Sequence, residues 1–124
     1  MNGNLNNILD MYEQKLLGVA HKSMKGATDE VLDNTPVRSG NLKASWNPSN
    51  GGPRTQNRSG GNRANFDGVI ASTRIGDTYS VANGRHYARM IEYEGWSQQA
   101  PNGMVQPMVG NWQQIVNKAV IEER

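Results

Sequence analysis

Few side chains in this sequence have chemical reach, and their spacing argues against most kinds of catalysis. His21 and His86 stand apart, neither in an HExxH nor an HxxE arrangement, and two imidazoles fall short of a multi-histidine metal site. His21 is expected on a helix, opposite most of its apolar face, as a solvated or interface residue. His86, beside Tyr87, fits packing or hydrogen bonding better than proton transfer. Glu92 and Glu94 are two residues apart at the end of a short helical stretch, so they point to different sides and serve paired-carboxylate chemistry poorly. Ser39, between Arg38 and Gly40, lacks the GxSxG setting of a nucleophile elbow. No GxGxxG or GxxxxGK[ST] run is present to cradle a phosphate. With no cysteine in the chain, disulfides, thiolate metal sites and thiol nucleophiles are excluded. The expectation is a protein without enzymatic activity, cofactor or metal.

Charge and aromatic residues point instead to contact surfaces. Net charge is only +2, but residues 34–91 hold eight basic side chains (Arg38, Lys43, Arg54, Arg58, Arg63, Arg74, Arg85, Arg89) against Asp67 and Asp77, while both ends of the chain are mildly acidic. A basic middle of this kind meets nucleic acid or an acidic protein partner. Arg54, Arg58 and Arg63 share a Gly/Ser/Asn-rich stretch with no acid and no aromatic residue. It therefore lacks the stacking side chains of a single-strand reader. A merely solvated loop, or one that orders only on assembly, a phosphate contact and an acidic protein partner all remain open for it. Trp46 and Trp112 are expected in the core. Trp96, in a loop after Glu94-Gly95, is expected at an interface, with Met90, Met104 and Met108 as adaptable apolar surface nearby.

The elements that must position these residues can be read from hydrophobic periodicity. Leu5, Ile8, Leu9, Tyr12, Leu16, Val19, Ala20, Ala27 and Val31 follow helical spacing. They predict a helix over 5–32, about 40 Å long, that stops before Pro36. Leu42, Ala44 and Trp46 alternate as in a strand over 40–47. A loop of residues 48–65 follows, then strands over 66–74 and 78–82 joined by a Gly76-Asp77 turn, completing a small antiparallel sheet. A short helix over 85–93, ending at Gly95, and a terminal helix over 107–122 beginning at Pro107 complete an α+β chain. At 124 residues with 35% hydrophobic content, a single domain of 1–124 with a thin core is expected, with neighbouring subunits supplying part of the burial. No leader and no apolar stretch of membrane length is visible, so synthesis in the cytoplasm and no membrane contact are expected.

Two segments carry a family resemblance. The run Thr35-Pro36-Val37-Arg38-Ser39-Gly40-Asn41-Leu42-Lys43-Ala44-Ser45-Trp46 resembles a signature of the phage neck proteins called the gene-product-ten family of lambda-like siphophages. Tyr87-Ala88-Arg89-Met90-Ile91-Glu92-Tyr93-Glu94-Gly95 is similar to that family's second element, and the likeness in order and spacing spans nearly the whole chain. Arg38 stands where the family usually has Asp, and the 48–65 loop is long and glycine-rich. The resemblance implies a non-catalytic virion protein, a neck, tail-completion, tail-terminator or head–tail connector subunit. It implies an α+β fold in a homo-oligomeric ring, six-fold or twelve-fold, between the capsid connector and the tail tube. Candidate interface or lumen residues are then Arg38, Lys43, Arg54, Arg58, Arg63, Arg85, Arg89, Glu92, Glu94, Trp96 and Met104, with Glu92 or Glu94 meeting a basic neighbour and the arginines facing the next ring or genomic DNA in the channel. The competing expectation is a small basic phage DNA-binding protein that uses the middle segment on phosphates.

Overall fold

A computed structural model describes residues 2–36, 45–53, 63–83, 85, 88, 92–93 and 102–124. A long helix, α1 (Asn2–Asp33), matches the predicted span. Its end has a local cause. Pro36 cannot continue a helix, and the last turn is closed by bonds from Asn34 N–H to Glu30 O (3.0 Å) and from the Thr35 hydroxyl to Val31 O (2.7 Å). Thr35 Oγ1 in turn accepts from Trp46 Nε1–H at 2.9 Å, tying the end of α1 to the following strand.

That strand, β1 (Trp46–Asn50), pairs antiparallel with β2 (Tyr79–Asn83) in the register Trp46↔Asn83 to Asn50↔Tyr79. The sequence placed a strand over 40–47 and a loop from 48. Residues 37–44 lie outside the described set, and the observed strand begins at Trp46 and runs through Pro48, which a two-stranded ribbon tolerates because one side of each strand makes no ladder bonds. A larger correction falls on 66–74. This segment is not a strand but the helix α2 (Arg63–Ser72), so among the described residues the sheet has two strands. Phe66, Ile70 and Thr73, spaced at helical intervals, turn inward and are buried. Ser72 and Thr73 hydroxyls donate back to Val69 O at 2.7 and 2.9 Å, closing the last turn. Gly76, at φ +94°, then reverses the chain into β2, as the Gly-Asp dipeptide predicted, but from a helix.

The expected terminal helix is divided into α3 (Gln106–Gly110) and α4 (Trp112–Glu122). The break at Asn111 follows from two poor helix formers in succession and from the Asn111 amide, which donates to Glu30 Oε1 at 2.6 Å and pins the junction to α1. From there α4 runs back along α1, with Ile115 against Gly26 and Glu123 level with Gly18. Among the described residues the core gathers Val31, Leu32, Trp46, Phe66, Ala88 and Met104, flanked by Val81, Val105 and Met108. Ala88, Glu92 and Tyr93 have helical geometry, within the stretch predicted as a short helix.

Candidate interaction surfaces

Three of the candidate residues turn out to build the fold. Glu92 is buried, and its carboxylate accepts from the backbone N–H groups of Met104 (2.8 Å), Val105 (2.8 Å) and Gln106 (3.0 Å), while Gln106 Nε2 donates to Glu92 O at 2.6 Å. The first turn of α3 has no side-chain cap of its own, and Glu92 caps it from a distant part of the chain. It does not meet a basic neighbour among the described residues. Gly103 makes the approach possible: its φ is +88°, and a Cβ there would fall 2.5 Å from Glu92 Oε2. Met104, expected on the surface, is 1% exposed in the core. Arg85 is half-buried, with Nε–H donating to Ser45 Oγ at 2.7 Å across the base of the β1–β2 ribbon. Sequence spacing could not have found the Glu92 clasp, because its partners are backbone groups more than ten residues away.

The histidine and tryptophan expectations divide in the same way. His21, expected as a solvated or interface residue, is half-buried, and its Nε2–H donates to Thr73 O at 2.7 Å, docking α2 on α1. Trp46 is buried as expected, whereas Trp112 is 44% exposed. It borders an open apolar groove of about 580 Å³, walled by Met24 and Val31 of α1, Tyr79 and Val81 of β2, and Val109 and Trp112 of α3 and α4. Val109 is 62% exposed, and no charged side chain among the described residues lines the groove. Burial raises the Tyr79 phenol above its ordinary value, opposed by the hydrogen bond it shares with Thr28 (2.8 Å), with the Asp67 charge adding to the rise. Asp77, at the turn before β2, is held below the usual carboxylate range by the Arg74 N–H and then by the Asn50 amide.

No family model, curated protein or solved structure matches the chain. The surfaces must therefore be read from their own geometry.

A second surface lies at the other end of α1. Leu5, Ile8, Leu9, Tyr12 and Leu16 are all exposed, Leu5 by 59% and Tyr12 by 68%. Glu123, the last residue but one, reaches only as far as Gly18, and Lys22 bridges to it at 2.8 Å and to Glu122 at 3.9 Å. Residues 5–16 thus extend beyond α4. The periodicity marked this stripe as one apolar helix face, and the length of the helix against so small a domain was the signal that part of it lies uncovered. Among the other candidates, Arg38, Lys43, Arg54, Arg58, Arg89, Glu94 and Trp96 lie outside the described residues. Arg63 opens α2, with its side chain outside the described set.

Proposed function

We propose that this chain is a non-enzymatic virion structural protein of a tailed bacteriophage, a ring-forming neck or tail-completion subunit that joins the tail to the capsid connector. The observation that carries the reading is the pair of exposed apolar surfaces, the α1 ridge and the Trp112 groove, on a chain of only 124 residues. Large exposed apolar patches on small soluble chains mark sites of association. The Thr35–Trp46 and Tyr87–Gly95 resemblance directs that association to the neck, with the connector and tail tube as partners and genomic DNA crossing the lumen. No helix among the described residues is long and apolar enough to cross a membrane.

Removing the gene from the phage that carries it tests the reading. Filled heads and separate tails should accumulate, and electron microscopy of complete particles should locate the chain as a ring at the head–tail junction. Normal yields of infectious particles would sink the proposal. The DNA-binding alternative predicts tight duplex binding that falls steeply with log[salt], and a flat response removes it.

A further inference from the structure

We infer that the N-terminal half of α1 from one copy fills the apolar groove of a second copy, so that subunits join head to tail. The inference rests on the reading of the chain as a ring subunit and names the two surfaces that would close the ring.

Leu5, Leu9, Tyr12 and Leu16 are separated by four, three and four residues, the spacing that keeps one seam of a helix facing a partner. The segment 5–16 that carries them extends roughly 18 Å at ~1.5 Å per residue. A helix of this length without tertiary packing is marginal in water. Its apolar stripe exposes on the order of 500 Å², the size that marks an association surface. The groove is the matching half: open, uncharged, and bordered by Val109 and Trp112, two large side chains that the chain leaves in water.

The occupant follows from rigidity. Met24 and Val31, which wall the groove, belong to the same continuous helix as the ridge. The centres of ridge and groove lie about 25 Å apart along that helix. α1 is one continuous helix over this distance, so the ridge does not reach the groove of its own chain, and a second copy presents the same groove to it. Pairing ridge with ridge would cover one surface and leave every groove open, whereas ridge in groove covers both with a single repeated contact. Covering the ridge buries about 500 Å² of it and a comparable area of the partner's groove and surrounding rim, roughly 1,000 Å² in all, the threshold for a specific interface. Because the two surfaces differ, the contact is heterologous, and it yields a ring when its rotation closes.

The chain has no cysteine, which permits a clean test. L9C and V109C variants of the full-length protein are purified separately, mixed in equal amounts and treated with a short bismaleimide, and native mass spectrometry follows the stoichiometry. Cross-links between the L9C and V109C positions of different copies, in a closed oligomer, are expected. A doubly substituted L9E/L16E chain should lose the oligomer completely while still melting in one cooperative transition, at a midpoint lowered by no more than the lost association accounts for, since both residues are exposed outside the core. L9C cross-linking only to itself would show seam-to-seam pairing and overturn the inference. A closed ring without the mixed cross-link overturns this contact but leaves the ring reading standing. The mixed cross-link in open chains that lengthen with concentration upholds the contact and removes the ring. A monomer at all concentrations with no cross-link overturns the inference.

Discussion

Glu92 shows how much one carboxylate can hold. Three backbone N–H groups at the start of α3 depend on it. Truncation strands them in a buried place, where each lost partner costs about 1 kcal/mol or more. Glu92→Ala should therefore lower stability by about 2 to 4 kcal/mol in urea titration, with Glu92→Gln between it and the native chain. Trp46 contributes mainly through volume. Trp46→Ala should cost about 3 to 5 kcal/mol, whereas Trp46→Phe, losing mostly the bond to Thr35, should cost about 1 to 2 kcal/mol. Tyr79 gives a pH dependence whose sign is fixed by its direction. Its folded value lies above the unfolded value of about 10, so its contribution is complete below that pH and is lost as pH rises through the folded value. Tyr79→Phe should flatten the stability profile above about pH 10, at a cost of about 1 kcal/mol near neutrality for the bond to Thr28.

At the level of elements, the α1–α4 contact makes two glycines of one helix unequal. A Cβ at Gly18 would meet the end of the Glu123 side chain, which can swing into water. One at Gly26 would sit 2.8 Å from Ile115 Cγ2, which is held in the helix packing. Alanine relieves about 1 kcal/mol of helix cost at either site, while overpacking costs about 1 to 3 kcal/mol. Gly18→Ala should thus be neutral or stabilising, and Gly26→Ala destabilising by about 1 kcal/mol, in thermal melts of the two variants. Equal stabilisation by both would mean that α4 does not lie along α1 as described.

For the whole molecule, the basic middle of the chain and the paired apolar surfaces assign separate tasks in the proposed ring. In that proposal the apolar surfaces hold copies together, and Arg54 and Arg58 serve the contact with a neighbouring ring or with DNA. Replacing 54–62 by a Gly-Ser linker of equal length leaves β1 and the first turn of α2 intact. It should change stability by less than about 0.5 kcal/mol and leave subunit association unchanged, yet block the joining of tails to heads, read as a drop in infectious particles with heads and tails accumulating. Unimpaired joining would show that these arginines have no part in it.

The sequence by itself determined the elements whose signals are long or local. α1 was legible because its apolar period persists over many turns and Pro36 stops it, β2 because Tyr79 and Val81 alternate between polar neighbours, and the burial of Trp46 because it shares a face with Leu42 and Ala44. Tertiary structure decided the rest. The apolar run of 66–74 is short enough to suit either period, and docking on α1 through His21 and Thr73 accompanies the helical choice. The partners of Glu92 are backbone N–H groups, which have no side-chain signature, and the exchange of places between Met104 and Trp112 depends on where α3 breaks from α4. An amphipathic stripe states that a face needs covering; only the placement of α4, ending level with Gly18, leaves Leu5 to Leu16 uncovered by the described part of their own chain.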